Sequence, residues 1–359
     1  VMIQSLPRVR TYFGLLAALL VLCMLASARL GAVVLTWAEI GGFAAEALGL
    51  GTPSTDGLAT LHRDVFFQIR LPRVVLCALV GAALSASGTL MQALFRNPIV
   101  EPGLIGTSAG AALGAAAVFV LGSKVQGLSS TVVASVVLPG AAFLGALAAT
   151  WLVYRLSAAQ GRVTVATMLL AGIAVNALAT GGTGCFSYFA RDPQARSITF
   201  WSLGSFSSAD WSGVYLVGAA LALGVGLSLQ LTKGLNALQL GENEAQYLGV
   251  NVRRLQTRVL LLNTLLVAVA TSLVGVIGFV GLLVPHLLRL LGFSDNRRLL
   301  LGACLLGGAL LVVADAVART VIAPAELPIG VLTAFVGAPV FLWMLARHHR
   351  PGQRGGFYA

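Results

Sequence analysis

The 359-residue chain is 58% hydrophobic and 10% charged, with a mean hydropathy of +0.91. Soluble domains carry roughly 25% charged residues, so the composition excludes a soluble globular protein and indicates one integral membrane domain. The net charge of +11 is spread over short loops between apolar runs, which fits an inside-positive membrane topology better than a nucleic-acid-binding face.

The apolar runs lie near residues 12–35, 72–94, 103–121, 131–156, 164–186, 211–232, 256–275, 279–292, 299–319 and 329–346. At about 20 residues per span, they predict ten transmembrane helices. Arg8 and Arg10 precede the first run, and Ala26-Ser27-Ala28 resembles a signal-peptidase site. An uncleaved first helix reaching about Leu35 fits the charge distribution better. The runs at 103–121 and 279–292 are short and rich in Gly or interrupted by Pro. Transporters place pathways and moving parts at such spans.

With the N-terminus in the cytoplasm, the 23 Lys and Arg divide 15 inside to 8 outside. That asymmetry predicts an N-in, C-in topology with an even number of spans. Residues 36–71 and 187–210 become outer loops, and 233–255 an inner one. The inner loop, with apolar residues broken by Gly241 and Gly249, reads as two short helices on the membrane surface. Such a segment binds lipid headgroups or docks a partner protein.

The chemistry of a stand-alone enzyme is missing. Neither of the two lysines, Lys124 and Lys233, is followed by Ser or Thr, so no phosphate-binding loop of the GxxxxGK[ST] type exists. There is no HExxH motif. Cys23, Cys77, Cys185 and Cys304 are far apart in apolar segments and read as small packing residues, without metal-ligand spacing. Asp315 is the one carboxylate well inside a predicted span, and Arg319 follows one helical turn later. An ion pair on one helix face is the plain reading. A proton-coupled secondary transporter would need more buried acids or histidines.

The run "GFVGLLVPHLLRLL" (278–291) holds a helix breaker, a titratable ring and a fixed charge: Pro285, His286 and Arg289. Pro285 is expected to shorten or bend its span, and Arg289 to snorkel toward headgroups. His286 is open to three readings from the residues alone: a ligand, a proton carrier or a packing detail.

Several stretches in order resemble one family across nearly the whole chain. They are "IRLPRVVLCALVGAALSASGTLMQALFRNPIVEPGLIGTSAGAALG" (69–114), "LGENEAQYLGV" (240–250), "GFVGLLVPHLLRLLGFSDNRRLL" (278–300), "ADAVAR" (314–319) and "ELPIGVLTAFVGAPVFLWML" (326–345). Together they resemble the permease subunits of iron-siderophore, heme and cobalamin ABC importers. The resemblance implies an all-α polytopic fold of the type II importer class, with about ten helices, N-in and C-in, in a bacterial inner membrane. It implies a second copy of the permease, two separate ATPase subunits and a periplasmic substrate-binding protein as partners, besides membrane lipid. ATP and Mg would be bound only by the ATPases. No resident cofactor is implied, and the permease is a transport subunit rather than an enzyme.

On this resemblance, Arg70, Arg73 and Arg319 are expected to face outward and hold acidic residues of the docked binding protein. Reversing Arg70 and Arg73 to Glu is then expected to weaken docking without loss of expression. Gly241, Glu242, Glu244, Ala245, Leu248 and Gly249 would receive the ATPase, with Arg253 and Arg254 nearby. Pro285, His286, Arg289 and Asp315 would serve structure or coupling, because the PH…R pattern recurs whatever the cargo. Gly81, Gly88, Gly106, Gly110 and Gly114 read as close-packing positions. The outer stretch "FARDPQARSITFWSLGSF" (189–206) carries Arg191, Arg196, Phe200 and Trp201, with Tyr188 just before it. Aromatics with arginines suit a flat apolar ring bearing two propionates, so heme is the expected cargo and these residues its entrance. Packing aromatics and topological arginines are the plainer reading of the same stretch. A ferric siderophore or cobalamin is the alternative cargo, and an ion-coupled secondary transporter the more distant alternative.

Overall fold

The computed structural model describes residues 6–31, 33, 35–50, 57–122, 132–158 and 165–348. Lys124, Arg162, Arg350 and Arg354, which enter the charge count, lie outside the described residues. Among the described residues the chain is helical, with no strand. Seven helical stretches among the described residues are long and apolar enough to cross a membrane, and three shorter apolar helices accompany them at 107–121, 280–290 and 329–343.

Helix α4 (Leu71–Phe95) is the axis of the bundle, and every residue from Val80 to Phe95 is buried. A helix that is apolar on all faces belongs inside a bundle. Small residues let its neighbours come close. A Cβ at Gly81 would strike the Gly307 carbonyl of α13 (Asn296–Thr320), and one at Gly88 would strike the Gly281 carbonyl of α12 (Val280–Leu290). The same device joins α5 (Thr107–Leu121) to α6 (Leu138–Ser157), through Gly110 on Gly145 and Gly114 on Ala141. Close backbone approach of this kind replaces the missing hydrophobic force between helices in lipid.

The first helix, α1 (Leu6–Arg29), stops six residues short of the expected Leu35. The chain then forms α2 (Trp37–Ala47), α3 (Gly57–Asp64) and a π-helical turn, Val65–Arg70, that leads into α4. The described residues of the expected loop 36–71 are therefore largely helical. Thr36 and Glu39 form a capping box that starts α2, and Phe43, Phe66 and Phe67 cluster with ring centroids 5.1–6.2 Å apart.

Helices α7 (Val165–Phe189) and α8 (Gln194–Ser202) meet at one end of the bundle. Helix α9 (Trp211–Leu238) crosses to the other end, where α10 (Glu242–Tyr247) precedes α11 (Val252–Val274). The expected pair of short helices in 233–255 is one short helix. The first half continues α9, because Leu231, Leu235 and Leu238 keep its buried stripe going at helical spacing.

After Val274 the chain leaves helical geometry for five residues before α12 begins. Helix α12 has eleven residues, roughly 16 Å, about half of a hydrocarbon core of roughly 30 Å. Non-helical backbone at membrane depth survives only where protein or a cavity satisfies it. Here Val274 O accepts from Ser205 N at 2.8 Å, and Phe279 N donates to Glu101 Oε1 at 2.9 Å. The last helix, α14 (Ile329–His348), returns toward the α10 end.

Candidate functional site

At the α8 end, the start of α4 and the end of α13 bring three arginines and two carboxylates together. Arg73 donates to Asp315 from Nε at 3.2 Å and from Nη2 at 2.9 Å, and to both Glu326 oxygens at 2.9 Å. Arg319 Nε donates to Asp315 Oδ2 at 2.9 Å, the predicted i,i+4 pair. Arg319 also reaches Leu30 O at 2.9 Å and Ser27 Oγ at 2.8 Å. Arg70 donates to Ala28 O at 3.0 Å, to Arg29 O at 2.7 Å and to Val33 O. Arginine donors thus cap the last carbonyls of α1, which accounts for the helix ending at Arg29.

This placement corrects one expectation. Arg70 is 6% exposed and Arg73 9%, and the N–H groups of all three arginines face internal acceptors rather than standing free for a partner. Reversing Arg70 and Arg73 to Glu would set new carboxylates among buried carbonyls, Asp315 and Glu326. That variant therefore tests folding before it tests docking. Glu326, half-exposed at the rim, completes the cluster and was not singled out from sequence; its only signal was its place in the ELPIG stretch.

Between α4 and α12 lies the answer to the PH…R pattern. Pro285 has no N–H, so the Gly281 carbonyl one turn earlier lacks its helical donor. Gln92 Nε2 supplies one, at 3.4 Å to Gly281 O and 3.1 Å to Leu282 O. Gln92 Oε1 accepts from Arg289 Nη1. One buried amide thus repairs the proline defect and fixes Arg289, which turns inward instead of snorkelling. His286 is buried on the same short helix, at 7% exposure. Gln92 and Glu101 are the polar residues that sequence reading missed here. Nothing in their local pattern distinguishes them, since their partners are more than 170 residues away.

At the α10 end, Gly241 has φ of +140°, which strains any side chain, and the Glu244 carboxylate lies over its Cβ position. Ala245 is fully buried and seats α10 on the bundle. Glu244, Leu248 and Gly249 are exposed and Glu242 half-exposed. Tyr247, not singled out from sequence, is 90% exposed beside Leu248 at 64%. A rigidly seated helix presenting an apolar knob and two acids has the makings of a protein-docking surface.

At the α8 end, Tyr188, Arg191, Arg196 and Phe200 are all exposed, and Arg196 lies over the Phe200 ring at 5.3 Å. Trp201 does not join them. It is half-buried against an alanine cluster that includes Ala111, Ala146 and Ala268. Among the described residues no group of His, Cys, Asp and Glu is placed to hold a metal, and the four cysteines are free thiols.

Residues 19–347 match the FecCD transport family. The chain belongs to that family. It is 42% identical over 347 residues to the hemin transport system permease protein HmuU of Yersinia pestis, covering 97% of this chain and 98% of that one. It is also 42% identical over 282 residues to the vitamin B12 import system permease protein BtuC of Yersinia pseudotuberculosis, covering 78% and 81%. A metal-chelate type ABC transporter solved in an inward-facing conformation superposes with a TM-score of 0.79 at 30% identity, over 94% of this chain and 99% of that one. The all-α type II importer fold and the permease reading are thereby established, and the FecCD chain is an integral membrane transport component.

Proposed function

We propose that this FecCD permease carries heme across a bacterial inner membrane, with its α10 end in the cytoplasm. The observation that carries the cargo reading is the near full-length similarity to a hemin permease. The exposed Tyr188, Arg191, Arg196 and Phe200 at the α8 end support it. An aromatic face suits a porphyrin, and guanidinium groups pair with propionates in charge-assisted hydrogen bonds.

Two ATPase subunits dock on α10 of two permease copies, and a periplasmic binding protein delivers cargo at the α8 end. ATP and Mg are bound by the ATPases, and the permease performs no chemistry. ATPase closure pushes α10 as a rigid body. Of the three arginines, Arg73 serves docking by exchange: a partner carboxylate takes the place of Glu326 on it, while Asp315 keeps the cluster assembled. Such charge pairing sets encounter and register more than affinity.

The test is ATP-dependent uptake in proteoliposomes holding permease, ATPase and binding protein, offered heme, a ferric siderophore and cobalamin separately. Heme accumulation that falls in the Arg191→Ala, Arg196→Ala double variant is the expected result. Accumulation of another cargo alone would overturn the heme assignment, and full-rate heme uptake by the variant would remove the entrance role.

A further inference from the structure

We propose that the groove between α6 and α11 is a binding site for an anionic phospholipid, with an acyl chain along the groove and the phosphate on Arg253, Arg254 and Arg258. The groove holds about 600 Å³ and is lined by Leu144, Leu147, Trp151, Leu261 and their neighbours. Leu144, Trp151 and Leu261 are each more than 60% exposed, which in a membrane means exposure to acyl chains. On α11 the lining positions Thr257, Leu261 and Thr264 follow helical spacing. The same face continues toward the α10 end as Arg254 and Arg258.

There the apolar lining gives way to a polar one. Thr257 lines the groove and also an adjoining depression of about 380 Å³ formed by Asn251, Arg253, Arg254 and Arg258. All three arginines are exposed, and none pairs with a carboxylate among the described residues. Cations at i and i+4 repel one another, so the cluster favours an anion between its members. It sits at the first turns of a 23-residue helix, whose dipole favours negative charge at that end. Arg155 lies over the Trp151 ring at 5.5 Å, the amphipathic pairing expected at headgroup level.

An apolar slot that ends in unpaired arginines at one membrane face matches a lipid with one end hydrocarbon and the other phosphate. Basic pockets between membrane helices bind anionic headgroups in this way. A protein partner is a poorer fit, because it would have to match an apolar slot and an adjoining cluster of unpaired cations at once.

The experiment is native mass spectrometry of the assembled permease–ATPase complex, titrated in detergent with phosphatidylglycerol or phosphatidylcholine. Phosphatidylglycerol is expected to be retained in preference. Arg254→Ala with Arg258→Ala should weaken it about thirtyfold, taking about fivefold per basic side chain near the surface. Leu147→Trp, which fills the groove and leaves the arginines in place, should also lower retention, and it stands as the readout if the arginine variant fails to assemble. Equal retention of the two lipids, or phosphatidylglycerol binding unchanged by the variants, would overturn the site. Loss of an ATPase or permease subunit with lipid retention intact would make the face a protein interface instead. Binding that inorganic phosphate abolishes and Leu147→Trp leaves untouched would reduce it to an anion site without a lipid.

Discussion

Replacing Asp315 by Asn is the sharpest probe of the cluster that joins α1, α4 and α13. Three guanidinium groups and two carboxylates gather there, with Arg70 on backbone carbonyls and Arg73 and Arg319 on the acids, leaving one net positive charge, and the substitution leaves two. Asp315 is 1% exposed and accepts from both Arg73 and Arg319, so water cannot take its place between them. Breaking a buried pair by removing one partner costs about 3–5 kcal/mol, and Asp315→Asn should fall in that range. Glu326→Gln is the control, because that side chain is 39% exposed and water can replace it, for a loss of about 1 kcal/mol or less. The assay is the free energy of unfolding from denaturant titration of the purified permease in detergent. Adding Arg319→Gln to Asp315→Asn should recover part of the loss, because one uncompensated cation is removed and the two sites are coupled. An Asp315→Asn loss no larger than that of Glu326→Gln would refute the burial argument.

Gln92→Leu should destabilise the permease by about 1–3 kcal/mol, because the buried Gly281 carbonyl loses the donor that replaces its helical one. The same titration reads it, and Gln92→Glu, which still accepts from Arg289, should lose less. Gly241→Ala should weaken co-purification of the ATPase, because a Cβ strains the positive φ that starts α10 and displaces the Glu244 carboxylate. Hydrogen bonds from the Thr36 hydroxyl, from His62 and from the Thr36 backbone hold the Glu39 carboxyl at about 2, below its ordinary 4.5. A depressed folded pKa means that the stabilisation is fully present above about 4.5 and is lost as the pH falls toward 2. Hydrogen exchange of residues 36–47, corrected for intrinsic rates, should therefore stay constant from pH 7 to 5 and rise only below pH 4.5, whereas Glu39→Gln should exchange faster throughout.

Much of the fold could be read in the sequence. Spans such as 72–94, 211–232 and 299–319 lie within the observed helices, because twenty apolar residues in succession allow little else in a bilayer. The i,i+4 pairing of Asp315 with Arg319 was legible for the same local reason. The two short spans were marked by their own glycines and proline.

What sequence alone could not supply was direction and partnership over long separations. Arg73 looks like an outward cation until Glu326, 253 positions away, is placed beside it. Arg289 looks like a snorkelling residue until Gln92 meets it across 197 positions. Tyr247 looks ordinary until the buried Ala245 shows which face of α10 is left outside. Hydropathy and spacing act through neighbours within a few turns, so they determined which segments cross the membrane and which are short. Only the packing of α4 against α12 and α13, at glycine-to-glycine distance, decided which polar groups meet inside it and which remain free for a partner.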